Sequence, residues 1–200
     1  MLRRLSGRVT RTLVPPRYRI RSVGRGSRIV RSTRVHGGNF IAIGDGVTIA
    51  GLGWLIVPGA ESRPPQTEPV IQIDSGTSIG ESCTISGVNH IRIGANVLFG
   101  PRVWVTDHNH VYTDPERPIQ HQGWTRGGAV EIEENCWVGT GAVIVGSQPV
   151  RIGRGSVIGA NSVVTEDVPD HSVVAGNPAR VVREYDPASA RWRSAGAADR

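Results

Sequence analysis

Apolar residues recur along this chain at intervals of six, in six successive triplets. Every step inside a triplet is six residues, whereas the steps between triplets are 8, 18, 8, 27 and 8 residues, so insertions fall at only one of three places. The repeated residues are Val23, Ile29, Val35, Ile43, Ile49, Leu55, Ile73, Ile79, Ile85, Ile93, Phe99, Val105, Ile132, Val138, Ile144, Ile152, Ile158 and Val164. This pattern restricts the fold to a stack of short, regular units.

Six residues suffice for one short strand and a turn, and side chains two apart on a strand face the same way. The positions two before the repeated residues should therefore also point inward, and they hold only small or aliphatic side chains. They are Ser27, Thr33, Ile41, Val47, Gly53, Ile71, Thr77, Cys83, Ile91, Val97, Val103, Val130, Cys136, Ala142, Val150, Ser156 and Ser162. We interpret both cysteines as core residues, because free cysteine is usually buried. Three strands per coil and six coils predict an all-β triangular prism with an aliphatic interior.

Charge is distributed unevenly along the chain. The net charge is +6, and the first 34 residues hold eleven arginines and no acidic residue. We assign residues 1–22 to a basic N-terminal arm, which suits a solvated or oligomer-facing extension or an amphipathic helix on a membrane surface. Nucleic-acid binding through this arm is a weaker alternative. Residues 23–183 form the predicted β-helix domain, and residues 184–200 form a C-terminal tail.

The apolar runs and the cysteines indicate a cellular location. The longest runs, such as VWV and WLIV, are too short to cross a bilayer, and the arginine-rich start lacks the apolar stretch of a secretory signal. Two cysteines provide no disulfide framework. We therefore expect a soluble, cytoplasmic protein, which the basic arm can bring to the inner face of the membrane.

The C-terminal half carries the most specific sequence signature. It reads VVTEDVP from Val163 and VAGNPARVVR from Val174. Over about residues 23–183 the chain resembles the hexapeptide-repeat acyltransferases, in the branch of the maltose and galactoside O-acetyltransferases. The resemblance implies a left-handed parallel β-helix of about six coils with a long loop after the fourth. The handedness comes from the resemblance alone, since a period of six does not specify it.

That long loop begins with the sequence VTDHNHVYTDP at Val105. The resemblance implies that His108 is the catalytic base. An imidazole titrates near neutrality, so it can take a proton from an alcohol and return it to a departing thiolate. Asp107 and Asp114 are the carboxylates in the loop that could orient His108. His110 is the alternative base, although a hydrogen-bonding role suits it better.

The other four histidines have no assigned chemistry. We interpret His36, His90, His121 and His171 as surface or structural residues.

The resemblance also implies a binding site for acetyl-coenzyme A as co-substrate, and no metal is expected. The cofactor-binding positions that carry over are Trp137, Thr140, Ala160, Thr165, Arg180 and Arg183. Trp137 corresponds to a tryptophan that lines the pantetheine channel, and the arginines suit the nucleotide phosphates. Glu166 stands where the family commonly has lysine, which removes one expected phosphate contact.

The acceptor is less well defined than the acyl donor. The family's sugar-binding asparagine and aspartate have no counterpart that we can place on residues 86–90, so the maltose and galactoside enzymes do not predict the acceptor. Trp104, Tyr112, Arg117 and Trp124 lie near the long loop and either bind a sugar or pack the loop. We predict an O-acetyltransferase acting on a sugar hydroxyl of a bacterial surface glycan, glycolipid or precursor, as a homotrimer with sites between subunits.

Two alternative functions remain open, and a third is disfavoured. A non-catalytic β-helix scaffold or binding protein remains open, since a fold does not fix a function. An acyltransferase for a small molecule other than a sugar, such as an antibiotic, is the second. A zinc-dependent carbonic anhydrase of the same prism shape needs two histidines five residues apart, and no pair among the six histidines has that spacing.

Overall fold

Three parallel sheets form the faces of a left-handed β-helix, in a computed structural model that describes residues 18–195. The first face holds β1 (Ser22–Val23), β4 (Ile41–Ile43), β7 (Ile71–Ile73), β10 (Ile91–Ile93), β13 (Val130–Ile132) and β16 (Val150–Ile152). The second face begins with β2 (Arg28–Ile29), β5 (Thr48–Ile49), β8 (Ser78–Ile79), β11 (Leu98–Phe99), β14 (Trp137–Val138) and β17 (Val157–Ile158). The third face holds β3 (Arg34–His36), β6 (Trp54–Ile56), β9 (Thr84–Ser86), β12 (Trp104–Thr106), β15 (Val143–Val145) and β18 (Val163–Val164). One strand from each face makes one coil, so the predicted six coils and the fold class are confirmed.

The strands are in register with the repeat that the sequence shows. On the first face Ile43 pairs with Ile73, Ile73 with Ile93, and Ile93 with Ile132. Sixteen of the eighteen repeated residues are buried, and only Val23 and Val35 in the first coil are partly exposed. All seventeen residues two positions earlier are also buried. The aliphatic interior of the prism is therefore confirmed.

Glycine after a repeated residue allows neighbouring coils to approach closely. A Cβ atom on Gly139 would lie 2.7 Å from the main-chain nitrogen of Ala160 in the next coil. One on Gly94 would lie 2.7 Å from the nitrogen of Glu134. Real Cβ contacts are longer than this, so larger residues here would push the coils apart.

A short hairpin extends the second face beyond the sixth coil. β19 (Ser172–Gly176) pairs in parallel with β17, and β20 (Ala179–Asp186) and β21 (Arg191–Ser194) follow in antiparallel order. Residue 183, where we expected the β-helix domain to end, lies inside β20. At the other end Tyr18 is only 6% exposed and packs against the core. Residues 1–17, most of the predicted basic arm, lie outside the described part of the chain, as do residues 196–200.

Both large insertions leave the prism at the corner between the third and first faces. Residues 57–70 follow β6, and residues 107–129 follow β12, two coils further along. The short 3-10 helices at Gly38–Phe40, Ala60–Ser62 and Ile119–His121 all lie at this corner. In residues 18–195 no helix has the length and apolar character needed to span a membrane. The two insertions therefore lie side by side along the third face.

Candidate active site

A groove with a volume of about 690 Å³ lies on the outside of the third face, between the two insertions. We call it the third-face groove. Its lining comprises His36, Trp54, Ile56, Pro58, Gly59, Glu61, Ser86, Trp104, Thr106, His108, Asn109, His110, Trp124, Val143 and Val145. Volumes of this size are typical of small-molecule sites. The groove therefore spans five coils, from β3 to β15.

The long loop folds back on itself above the groove. The main-chain N–H of Val111 donates to the carbonyl of Gly123 at 3.0 Å, and that of Gly128 donates to the carbonyl of Asp107 at 2.7 Å. These bonds pin the outgoing and returning arms of the loop together. They fix the backbone on both sides of His108.

Asp107 is fully buried and is held by main-chain amides of the preceding coil. Its carboxylate accepts hydrogen bonds from the N–H groups of Val88 at 2.9 Å, Asn89 at 2.8 Å and His90 at 2.8 Å. Successive N–H groups of a turn that converge in this way make an anion-binding nest. The turn at residues 88–90 thus positions the carboxylate.

His108 is 8% exposed and contacts Asp107 directly. Its Nδ1 lies 3.0 Å from Oδ1 of Asp107 and 3.2 Å from Oγ1 of Thr106. A carboxylate at Nδ1 favours the tautomer with the proton on that nitrogen, which leaves the lone pair on Nε2. Nε2 makes no hydrogen bond to any residue between 18 and 195. The imidazole lines the groove, so this nitrogen is available to a ligand.

The remaining predicted residues of the long loop divide into two groups. His110 and Trp124 line the groove, with their ring centroids 6.2 Å apart across the loop. Asp114 instead accepts the N–H of Glu116 in an exposed turn. Tyr112 and Arg117 are exposed near the same turn and are absent from the groove lining. Of the two candidate carboxylates, Asp107 is the one that contacts His108.

From the sequence, His36, Glu61 and Trp54 were not expected at the groove. His36 and Glu61 form a pair, with Nε2 of His36 3.0 Å from Oε1 of Glu61, and Trp54 is 42% exposed beside them. A signal was present, because His36 directly follows a repeated residue, as Thr106 does. Positions that follow the last member of each triplet form one column beside the groove.

The predicted coenzyme positions lie on the last coils and outside the groove lining. Trp137 is 53% exposed on β14, and Thr140 and Ala160 occupy the corner between the second and third faces. Within residues 18–195 the main-chain N–H groups of Thr140 and Ala160 donate no hydrogen bond. They are thus free to bind the amides of a pantetheine chain. The residues at this corner fit the coenzyme.

The nucleotide end of the predicted coenzyme site is formed by exposed residues. Thr165, Arg180 and Arg183 all lie at the surface near the last coil. Nη1 of Arg180 lies 3.5 Å from Oε2 of Glu166. This carboxylate competes with a phosphate for the guanidinium. Among residues 18–195 no three His, Cys, Asp or Glu side chains are placed to share a metal ion.

Two cysteines lie in the interior, away from the groove. Cys83 and Cys136 are 3% and 2% exposed and are not disulfide-bonded. Burial raises the pKa of both thiols, that of Cys136 to about 11. The interpretation of both as core residues is confirmed.

Known proteins resemble the chain over much of its length. Residues 129–166 match the family described as hexapeptide repeat of succinyl-transferase. A Schizosaccharomyces pombe protein named as an acetyltransferase is 34% identical over 63% of this chain and 62% of its own length. Escherichia coli K12 WbbJ, named as a lipopolysaccharide biosynthesis O-acetyl transferase, is 28% identical over 63% and 66%. The chain thus spans less than two thirds of these curated relatives.

A solved structure is also similar to the chain. A galactoside acetyltransferase in complex with coenzyme A is 33% identical, with a TM-score of 0.51 over 60% of this chain and 57% of that one. The six-residue repeat, the three-faced prism and these relatives agree. Residues 129–166 therefore carry the hexapeptide repeat of this family, and the chain is similar in sequence and fold to hexapeptide-repeat acyltransferases.

Proposed function

We propose that this protein transfers an acetyl group from acetyl-coenzyme A to a sugar hydroxyl, with His108 as general base and no covalent acyl-enzyme. The observation that carries the proposal is the contact between Nδ1 of His108 and the buried Asp107 carboxylate in the third-face groove. A non-catalytic scaffold has no need for an imidazole held in this way. Hydrolytic triads orient their base in the same way, because one ring N–H of the histidine donates a hydrogen bond to a carboxylate.

The side chains of this site account for each proton in the reaction. Nε2 of His108 takes the proton from the acceptor hydroxyl as its oxygen bonds to the acetyl carbonyl carbon. Asp107 stabilises the imidazolium that forms, and the nest of amides keeps the carboxylate in place. When the carbon–sulfur bond breaks, the imidazolium returns the proton to the thiolate. Acetyl-coenzyme A supplies the acetyl group as a thioester.

The coenzyme is assigned to the C-terminal side of His108. The free N–H groups of Thr140 and Ala160 donate to the amide carbonyls of pantetheine, and the exposed Trp137 ring packs against the pantetheine chain. Thr165, Arg180 and Arg183 contact the nucleotide end, where guanidinium groups pair with phosphate oxygens. A galactoside acetyltransferase 33% identical to this chain holds coenzyme A in its solved structure, which supports the assignment.

We assign the enzyme to the synthesis of a bacterial surface glycan, glycolipid or precursor. The likeness to WbbJ supports this class of acceptor. We also propose a homotrimer whose sites lie between subunits. Leu98 and Trp137 are 52% and 53% exposed and adjacent on the second face, an apolar surface that a neighbour or the coenzyme would cover. The arm at residues 1–22 would bring the trimer to the inner membrane face.

An acceptor screen tests the function. Release of free coenzyme A is measured with acetyl-coenzyme A and a panel of galactosides, glucosides, rhamnosides and aminoglycoside or phenicol antibiotics. We expect release that depends on a sugar and is lost in His108→Ala. Release with an antibiotic alone, or equal release by wild type and His108→Ala, would overturn the proposal.

A further inference from the structure

We propose that the acceptor is a neutral saccharide at least three units long, and that His36 and Glu61 bind the unit farthest from the reacting hydroxyl. This inference rests on the proposed function and adds the substrate class of the same groove. The groove is longer than one sugar unit. The register places His36 beside Ile56, Ile56 beside Ser86, and Ser86 beside Thr106. Three strand spacings, about 14 Å, separate His36 from Thr106.

The direction of the acceptor follows from where the donor binds. Trp137, Thr140 and Ala160 belong to the fifth and sixth coils, on the C-terminal side of His108. The groove continues on the opposite side of His108 to the first coil, where His36 and Glu61 lie. The donor positions lie outside the groove lining, so this side of the groove is left for the acceptor. A single sugar ring at His108 would leave most of that length empty.

Tryptophans are spaced along the groove for alternate rings of a saccharide. Trp54 and Trp104 both pair with Thr84, one from each side, so they stand two strand spacings apart, about 10 Å. Their exposed fractions are 42% and 52%, and Trp124 on the loop is 48% exposed. Indole presents a large apolar face together with a polar N–H, a combination suited to the C–H face and hydroxyls of a sugar. One ring stacked on Trp104 and another on Trp54, with one unit between them, would bring the far ring to His36.

The His36–Glu61 pair is suited to hydroxyl groups. Nε2 of His36 and Oε1 of Glu61 are 3.0 Å apart, and their side chains are 42% and 69% exposed. A carboxylate accepts hydrogen bonds from hydroxyls, and an imidazole donates or accepts. The pair is therefore both anchored and accessible.

The charge of the groove argues for a neutral acceptor. Among the described residues its lining contains Glu61 but no arginine, in a chain with 23 basic residues. The guanidinium of Arg34 lies 5.9 Å from the centre of the Trp54 ring, outside the lining. A nucleotide-linked sugar would place a diphosphate in a groove that no guanidinium lines, with histidines as its basic side chains. The geometry favours the neutral glycan over the sugar nucleotide.

The test compares acceptors of increasing length. Methyl glycosides of galactose, glucose and rhamnose are assayed beside their disaccharides and trisaccharides, and beside the uridine diphosphate sugars. We expect kcat/KM to rise at least ten-fold from monosaccharide to trisaccharide for the accepted series. His36→Ala and Glu61→Gln should lower the ratio of trisaccharide to monosaccharide kcat/KM by about three- to ten-fold, as lost hydrogen bonds do.

Glu131→Gln is the matched control. Glu131 also pairs with a histidine Nε2, that of His90 at 3.5 Å, but on the first face and outside the groove. This variant should leave the ratio unchanged. Equal kcat/KM for all lengths, an unchanged ratio in His36→Ala and Glu61→Gln, or a preference for the sugar nucleotide would overturn the inference and leave the acetyltransferase function standing. Acetylation of no saccharide at all would overturn both.

Discussion

Oδ1 of Asp107 lies 3.0 Å from Nδ1 of His108, although the two residues are neighbours in sequence. Adjacent side chains usually diverge, and here the amides of Val88, Asn89 and His90 turn the carboxylate back toward the imidazole. The geometry of the base therefore depends on a turn in the preceding coil. The proposed catalytic role of this residue pair therefore depends on the local fold.

Removal of the imidazole should abolish most of the activity. His108→Ala should lower kcat by about 10²- to 10⁴-fold, the usual contribution of a general base. The circular dichroism spectrum should not change, because the side chain lies at the groove surface and not in the prism interior. Coenzyme A release under saturating substrates measures the effect.

His110→Ala is the matched control for that variant. His110 is exposed and lines the same groove. We expect it to lose less than about ten-fold in kcat, consistent with a hydrogen-bonding role. A loss as large as that of His108→Ala would exchange the roles of the two residues.

Loss of the Asp107 carboxylate should affect both stability and rate. Asp107→Ala leaves the N–H groups of residues 88–90 without their buried acceptor, which should cost about 1–3 kcal/mol in unfolding free energy. The imidazole also loses its orienting partner, so kcat should fall. Urea unfolding and steady-state kinetics measure the two effects. Asp114→Ala removes an exposed turn carboxylate and should change the unfolding free energy by less than about 0.5 kcal/mol.

The repeat in the sequence was sufficient to predict the prism. Each inward-facing side chain is buried against the next coil, so burial restricts its residue type. This restriction shows in the sequence of every strand. The corner turns depend on backbone conformation, and glycine or asparagine often marks them, as at Gly76 and Asn96. The fold therefore followed from local patterns repeated many times.

The site was only partly predictable, because it depends on contacts between distant segments. The resemblance predicted His108 as the base, but nothing in the sequence showed that the amides of residues 88–90 hold Asp107. Glu61 reaches His36 from an insertion 25 residues later in the chain, and no periodicity covers that insertion. The hairpin of β20 and β21 was missed because it lies beyond the repeat.

Substitution of Glu166 should strengthen binding of the coenzyme. Glu166 holds Arg180 in an exposed ion pair at 3.5 Å, and such pairs contribute about 0.2–1 kcal/mol. Glu166→Gln frees the guanidinium for a phosphate, so the KM for acetyl-coenzyme A should fall by up to about five-fold. The KM for the acceptor should stay constant. A rise in the coenzyme KM would show that Glu166 itself contributes to the site.

One corner of the prism carries an unfavourable residue. Leu52 has φ of +62° and is 70% exposed, whereas the same corner holds Gly141 and Asn161 in later coils. A non-glycine residue in the left-handed region costs about 1–2 kcal/mol, and asparagine tolerates it better. Leu52→Asn should therefore raise the unfolding free energy by about 0.5–1 kcal/mol, seen as a higher urea midpoint. Leu98→Asn, at an exposed strand position, should give no gain.

The buried thiols should make the fold sensitive to alkali. Burial raises the pKa of Cys136 from 9.0 to about 11, so the folded state holds this proton more tightly than the unfolded chain. The stabilisation is complete below pH 9.0 and is lost as the pH rises to about 11. Cys136→Ala should therefore flatten the decline of the unfolding midpoint over this range. In the native protein neither thiol should react with a disulfide reagent at neutral pH, and both should react after denaturation. Rapid labelling of native Cys136 would show that its coil opens readily.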